Sequence, residues 1–216
     1  MPKIVDHDQY RRELLDQCFD LFAEKGYAAL TMRQIAQGLR VSTGTLYHYF
    51  PSKEGLFEQL VRETTLRDIQ SAIAIASQQP CVLGRIEAAL EYVAQNEDFL
   101  RKQTLIWIEF YQHQHRESGV PTEVFHGVWQ ESEQQVAALL GLDDPKLVSF
   151  LSCVVDGILL HRIYEPQSGS FRDHARLLID MLRLYLTDGG SLRSLNGTNG
   201  ATPISQRIGD DGVSSV

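Results

Sequence analysis

Residues 31–56 read TMRQIAQGLRVSTGTLYHYFPSKEGL, a stretch with the start and stop signals of two short helices. Thr31 and Gln34 form a capping-box pair, in which each side chain bonds the backbone N–H of the other residue, and the pair predicts a short helix over 32–39. After a break, a second short helix is predicted over 43–50. Two short helices joined by a turn of three or four residues are typical of a helix-turn-helix.

Outward from this stretch, nearly every segment repeats its apolar residues at spacings of three and four, without convincing period-two alternation. We therefore predict an all-α chain of about nine helices. A first helix over 8–25 precedes the two short helices, and a long helix from Lys53 to about Gln78 follows them. Further helices are expected at 82–95, 98–117, 121–140, 145–164 and 171–187.

The outward side of the second short helix carries chemistry suited to DNA. Leu46 is expected to face the core. Thr43 and Tyr47, four residues apart, then lie on the outward side, and Gly44 with His48 forms a second outward pair. Small residues at the helix N-terminus allow close approach to DNA, and the free backbone N–H groups there favour phosphate.

Charge supports the same interpretation, although the whole chain carries a net charge of −8. Residues 31–53 contain Arg33, Arg40 and Lys53 and no Asp or Glu, which gives this window a charge of +3. Lys53 is placed to neutralise a phosphate, and Arg33 to reach the DNA backbone or a base edge. An ordinary aromatic core is the alternative interpretation, but a core needs no exposed Thr-Gly face free of acids.

The same stretch closely resembles the DNA-binding segment of tetracycline-repressor-type (TetR family) regulators. The matching positions are Thr31, Ile35, Ala36, Val41, Ser42, Gly44, Leu46, Tyr47, Tyr49, Phe50, Lys53 and Leu56. The match is strong over residues 8–60, and elsewhere the chain is similar only in length, helical content and helix order. One departure is Arg40, at a turn position where the family often has a glycine able to adopt positive φ.

The resemblance implies DNA contacts by a defined set of residues, and a homodimer built from the last two helices. The implied DNA-contact residues are Arg33, Thr43, Gly44, Thr45, Tyr47, His48, Tyr49 and Lys53. The apolar stripe of the helix over 145–164 is too broad for one partner helix, although a purely internal core is the alternative. The expected dimer-interface residues are Phe150, Leu151, Val154, Val155, Ile158, Leu178 and Leu182.

The middle helices hold aromatic residues among polar groups, an arrangement typical of small-molecule pockets. The candidate ligand-binding residues are Trp107, Phe110, Tyr111, Phe125 and Trp129, and a plain aromatic core is the alternative. His113 and His115 lie on different helix faces and, with His126, make a poor metal set. We therefore expect no metal and no cofactor, only a small-molecule effector.

Targeting signals and cysteines point to the cytoplasm. The first fifteen residues lack the apolar stretch of a signal sequence, and the apolar run 147–160 is too short to span a membrane and contains Asp156. The three cysteines, Cys18, Cys81 and Cys153, lie within apolar helical patterns. We expect reduced, largely buried thiols in a cytoplasmic protein that does not enter a membrane.

These observations predict a sequence-specific DNA-binding transcriptional regulator, a homodimer that represses until a small molecule releases it from double-stranded operator DNA. The chain is divided into a helix-turn-helix domain over 8–54, a regulatory, ligand-binding and dimerisation domain over 55–187, and a disordered tail over 188–216. The alternatives are an all-helical enzyme and an adaptor that does not bind DNA. The sequence has no G-x-S-x-G, H-E-x-x-H or P-loop motif, so we expect no enzyme.

Overall fold

The computed structural model describes residues 6–118, 123–141 and 145–187, and every regular element within these ranges is an α-helix. In chain order the helices are α1 (His7–Lys25), α2 (Met32–Gly38), α3 (Thr43–Tyr49), α4 (Lys53–Ala76), α5 (Val82–Gln95), α6 (Glu97–Ser118), α7 (Glu123–Leu140), α8 (Pro145–Tyr164) and α9 (Phe171–Thr187). The all-α prediction is confirmed, and the predicted helix ends differ from the observed ones by at most two residues. The predicted tail over 188–216 lies outside the described residues.

Side-chain caps start the two short helices. At α2 the Thr31 hydroxyl accepts the Gln34 N–H at 3.3 Å, and the Gln34 amide oxygen accepts the Thr31 N–H at 2.9 Å. At α3 the Ser42 hydroxyl accepts the Thr45 N–H at 2.9 Å. Helices of seven residues are marginal alone, so these caps and the packing beneath them determine where each begins.

One cluster of buried apolar side chains, the N-terminal core, joins α1, α2, α3, the first turns of α4, and α6. At its centre the rings of Phe57 and Phe110 stack with centroids 4.2 Å apart, and Tyr27 meets both edge-on. Glu109 of α6 accepts the Ala28 N–H at 3.0 Å in the loop between α1 and α2. The helix-turn-helix is therefore packed on two later helices, α4 and α6.

The loop that Glu109 contacts has a backbone that depends on glycine. Gly26 ends α1 with a φ of 79°, in the left-handed region that residues with a Cβ rarely adopt. A Cβ at this position would lie 2.9 Å from a carboxylate oxygen of Glu109. The backbone conformation at this position thus requires glycine, and the Glu109 side chain would have to move to admit a Cβ.

A second cluster, the C-terminal core, joins α5, α7, α8 and α9. The remainder of α4 runs alongside it, in contact with α5 and α7. α4 therefore begins in the N-terminal core, at Leu56, Phe57 and Leu60, and ends beside the C-terminal core. The hydrophobic packing continues across residue 54, where the sequence predicts a domain boundary.

The last two helices expose a set of large apolar side chains, called here the α8–α9 apolar face. Its members are Phe150, Leu160 and Tyr164 on α8 and Leu177, Met181, Leu184 and Tyr185 on α9. Of the predicted interface residues only Phe150 belongs to this face. Val154, Val155 and Ile158 are half-buried, and Leu151, Leu178 and Leu182 are buried in the C-terminal core of their own chain. The latter three lie on the inward sides of the same helices.

By length and composition α8 is able to cross a membrane, and only 17% of its apolar window is buried. The prediction that this segment is too short to span a membrane was based on the apolar run 147–160 alone. The helix that contains this run has 20 residues. A helix of a water-soluble protein passes the same test, so one such helix is weak evidence for a membrane. Its low burial follows from its contribution to the α8–α9 apolar face.

Two of the three cysteines depart from the prediction that the thiols are buried. Cys18 is buried, which raises the pKa of its thiol to about 12. Cys81 and Cys153 are exposed, so the prediction of burial is wrong for both. Cys81 caps the N-terminus of α5 instead, and Cys153 lies on an outward side of α8.

Arg40 has a φ of 57°, the one positive φ among the described non-glycine residues, a conformation that costs about 1–2 kcal/mol.

Candidate nucleic-acid interface and central cavity

Helix α3 has a buried side and an exposed side. Leu46 and the following Phe50 are fully buried in the N-terminal core. Gly44, Tyr47 and His48 are exposed, and Tyr47 retains 49% of its surface. The exposed side of α3 therefore presents a bare helical backbone at Gly44, a phenol and an imidazole to any molecule that approaches.

Tyr49 connects α3 to α1 and only partly faces solvent. Its hydroxyl pairs with His7 Nδ1 at 2.8 Å, and its ring meets Tyr10 edge-on at 5.5 Å. The ring of His7 also lies 6.2 Å from that of His48. Sequence reasoning missed His7, because the contact joins residues 42 positions apart and no local pattern indicates it.

Thr43 and Thr45 are half-buried at the start of α3. The Thr45 hydroxyl lies 2.8 Å from that of Ser42, beside the bond that caps the helix. The Thr45 side chain is thus engaged within the protein, where it stabilises the N-terminus of α3.

Lys53, at the first position of α4, is directed towards Tyr27. Its ammonium donates to the Tyr27 carbonyl oxygen at 3.3 Å and lies 4.1 Å from the centroid of the Tyr27 ring. Arg33, by contrast, is exposed on α2. Of the eight predicted DNA-contact residues, the structure exposes Arg33, Gly44, Tyr47 and His48 and half-buries Thr43, Thr45, Tyr49 and Lys53.

A central cavity of about 250 Å³ lies between α4, α5, α6, α7 and α8, with Leu178 of α9 at its wall. Trp107 and Trp129 line it, whereas the other three predicted ligand-binding aromatics do not. Phe110 is buried in the N-terminal core, and Phe125 packs against it. Tyr111 lies one helical turn beyond Trp107, where it is exposed, stacks on His115 and meets Phe125 edge-on.

Polar groups that sequence reasoning missed also line this cavity. Asp68 of α4 accepts hydrogen bonds from the Tyr92 hydroxyl at 3.3 Å and from Gln103 Nε2 at 3.1 Å. Burial raises the pKa of Asp68, although these bonds and the nearby Arg67 oppose the rise. The available signal was an acid next to Ile69 within the predicted long helix.

Two further carboxyl groups, from Glu133 on α7 and Asp156 on α8, border the cavity. Part of Asp156 is exposed to solvent, but the protein atoms around its carboxyl group desolvate it and raise its pKa to about 6. In the sequence Asp156 is notable as an acid within an apolar run. Within the described ranges no group of three or more His, Cys, Asp or Glu side chains is arranged to hold a metal ion.

Comparison by sequence places the helix-turn-helix among known regulators. The family model described as bacterial regulatory proteins, tetR family, matches residues 14–60. The HTH-type transcriptional regulator PksA of Bacillus subtilis is 25% identical over 176 residues, which cover 77% of this chain and 84% of that protein. The HTH-type transcriptional repressor KstR2 of Rhodococcus jostii is 46% identical over 52 residues, which cover 24% of this chain and 26% of that protein.

Comparison of folds extends the likeness over most of the chain. The crystal structure of a transcriptional regulator from Saccharomonospora viridis in complex with choline superimposes with a TM-score of 0.65. The superposition covers 82% of this chain and 97% of that one, at 19% sequence identity. At this identity the match shows a shared arrangement of helices from α1 to α9 and nothing about shared ligands.

Proposed function

Because this chain belongs to the TetR family of transcriptional regulators, we propose that α2 and α3 bind operator DNA, that two copies form the working unit, and that a small molecule in the central cavity controls binding. The observation that carries the DNA proposal is the exposed Gly44, Tyr47 and His48 side of α3, within a segment free of acids. The protein is a regulator rather than an enzyme, as its relatives by sequence are.

We assign different roles to the exposed and half-buried members of the DNA-contact set. Arg33, Tyr47 and His48 are free to reach phosphates and base edges, and Gly44 allows the helix to approach closely. Thr43, Thr45, Tyr49 and Lys53 are the half-buried members. The Lys53 ammonium donates to Tyr27 and so fixes the start of α4, and its further N–H groups can donate to a phosphate.

The division into a DNA-binding part over 8–54 and a regulatory part over 55–187 also forms part of this proposal. α4 is the element that both parts share, since it starts in the N-terminal core and later lines the cavity. A ligand that prefers one position of α4 shifts the DNA-binding helices with it, which is the differential binding that regulation requires. The Saccharomonospora viridis regulator is in complex with choline, which supports the binding of a small molecule by this fold.

The α8–α9 apolar face supports a homodimer. Seven large apolar side chains share this face, whereas a soluble monomer rarely exposes so continuous a patch. Two helices from each of two copies would form a four-helix interface, and a two-fold dimer suits paired DNA half-sites about 34–36 Å apart. Dimer burial of α8 explains its apolar surface without a membrane, and a DNA-binding role places the protein in the cytoplasm.

Fluorescence anisotropy with DNA from upstream of the protein's own gene tests the proposal. We expect specific binding that weakens as salt rises, because phosphate contacts release counterions. The double variant Tyr47→Ala/His48→Ala should lose about tenfold or more in affinity, since base-edge contacts contribute roughly 1–3 kcal/mol each. Tyr111→Ala, which removes a similarly exposed tyrosine from α6, should bind as the wild type does.

Two results would contradict the DNA proposal. Equal affinity of the wild type and the double variant would remove α3 from the interface. Equally weak binding to every duplex across a genomic fragment library would favour the adaptor that does not bind DNA. Circular dichroism of the double variant should match the wild type, because both altered side chains are exposed.

A further inference from the structure

The ionisable groups on the wall of the central cavity are acids and a tyrosine. Asp68, Glu133 and Asp156 border it from α4, α7 and α8, and no Lys, Arg or His is among the described residues that line it. Resting on the proposed function, we infer that the effector is a small organic cation, a quaternary or protonated amine that carries an apolar group.

The other residues that line the cavity indicate that the cation carries an apolar group. Most lining residues are aliphatic, among them Ile69, Leu90, Leu100, Val136 and Leu159. A cavity of about 250 Å³ holds only a compact molecule. The apolar walls exclude a fully hydrated ion, and the three carboxyl groups repel an anion, so an amine with an organic body fits both features.

Aromatic rings add a second attraction for positive charge. Trp107 and Trp129 border the cavity from α6 and α7, and Tyr92 borders it from α5. An organic cation over the face of a tryptophan is attracted by the ring quadrupole. A neutral molecule of the same shape gains the apolar contact without this contribution.

The two aspartates differ in how their charge is compensated. Asp68 is oriented by Tyr92 and Gln103, and Gln103 is buried with 4% of its surface exposed. Asp156 has no hydrogen bond or ion pair to any described residue and is desolvated by its surroundings, which raises its pKa to about 6. A cation beside Asp156 supplies an opposite charge and offsets this desolvation, so binding is favoured.

The position of these acids couples the cation to regulation. Asp68 lies on α4, the helix whose first turns pack under the helix-turn-helix. Asp156 lies on α8, which also contributes to the α8–α9 apolar face. A cation held between the two carboxylates draws α4 and α8 together, and this displacement is how binding would alter the affinity for DNA.

Tryptophan fluorescence provides a direct test, because both tryptophans of the chain line the cavity. The full chain is titrated at pH 7.5 with tetramethylammonium, benzyltrimethylammonium and hexyltrimethylammonium, and with hexanol and hexanoate as neutral and anionic comparisons. We expect saturable changes with at least one organic ammonium, at least about tenfold weaker binding of hexanol, and no binding of hexanoate. An ammonium that binds should also lower DNA affinity at the same concentrations.

Variants that replace a carboxyl group by an amide identify which aspartates bind the ammonium. Asp156→Asn and Asp68→Asn should each weaken ammonium binding about tenfold while leaving hexanol binding nearly unchanged. Asp20→Asn, an exposed aspartate on α1, is the matched control and should bind like the wild type. Thermal melting of each variant identifies any loss of fold, and Asp156→Asn is expected to fold because it removes a desolvated charge.

The outcomes separate this inference from the proposed function. Tighter binding of hexanol or hexanoate than of every ammonium, or no binding of any ammonium, would overturn the cation inference while specific DNA binding remained intact. Ammonium binding that leaves DNA affinity unchanged would overturn the role of the cation as effector. Loss of the proposed function is a different result, namely the absence of specific DNA binding without any ligand.

Discussion

The N-terminal and C-terminal cores use their apolar residues in different ways. In the N-terminal core the largest rings, such as Tyr27, Phe57 and Phe110, are fully buried against one another. In the C-terminal core comparable side chains leave a cavity inside and an apolar face outside, where Phe150 and Leu177 remain more than half exposed. The comparison indicates that the first core is closed, whereas the second encloses a cavity and leaves an apolar face exposed.

The two regions also differ in where their charged side chains lie. The helix-turn-helix carries its cations on the surface, where Arg33 and Arg40 are exposed. The regulatory part carries acids at the cavity wall, where Asp68 and Asp156 have raised pKa values because the surrounding protein desolvates them. Charges at a solvated surface cost little, whereas desolvated charges are unfavourable unless something compensates them. The three predictions below test this difference, beginning with the largest effect.

Truncation inside the N-terminal core should have the largest effect. Phe110→Ala removes a fully buried ring that stacks on Phe57, and it should lower the free energy of unfolding by about 3–5 kcal/mol. Urea denaturation followed by circular dichroism measures the change. Tyr111→Ala removes an exposed neighbouring ring and should change the free energy by no more than about 0.5 kcal/mol. Equal losses in the two variants would contradict a closed N-terminal core.

Charges placed on the α8–α9 apolar face should separate the subunits. Leu177→Glu/Leu184→Glu should weaken dimerisation at least about a hundredfold, because each leucine contributes roughly 1.5–3 kcal/mol when buried. Sedimentation velocity over a range of concentrations measures this change. Ile75→Glu alters an exposed apolar residue of α4 outside this face and should leave the dimer intact. A wild type that is monomeric at high concentration would exclude the dimer altogether.

The smallest effect concerns pH. The folded pKa of Asp156, about 6, lies above the ordinary value of 3.8, so stability falls as pH rises from about 4 through 6. Asp156→Asn should therefore raise the melting temperature at pH 7.5 and leave it nearly unchanged at pH 4. Solvent in the cavity screens the charge, which limits the gain to about 1 kcal/mol or less. A gain of equal size at both pH values would assign the effect to packing instead of charge.

Helix order and the orientation of α3 were predictable because their signals are local. The Thr31–Gln34 cap and the spacing between Leu46 and Phe50 involve residues three or four positions apart, and the structure has both features. The positive φ of Arg40 was also indicated, through the resemblance to a family with glycine at that turn. Short-range patterns of this kind are set by helix geometry and do not depend on the remainder of the fold.

Contacts between distant elements were not predictable in the same way. Leu177 and Leu178 are the same residue type in one helix, yet the first is exposed and the second is buried. Only the packing of α9 on α5 and α8 decides which leucine faces inward. The contact between His7 and Tyr49 and the acids of the cavity likewise depend on tertiary packing, which a single sequence does not display.

The contact of α6 with the loop at Gly26 has a mechanical consequence. The helix-turn-helix is attached to the regulatory half at two points, through α4 and through the Glu109 and Phe110 contacts of α6. Trp107, which lines the cavity, lies less than one turn from Glu109 on the same helix. Because α4 and α6 both hold the helix-turn-helix, a shift of one of these helices relative to the other tilts it. Small relative movements of α4 and α6 are thereby converted into a rotation of α3, and the displacement grows with distance from the attachment points.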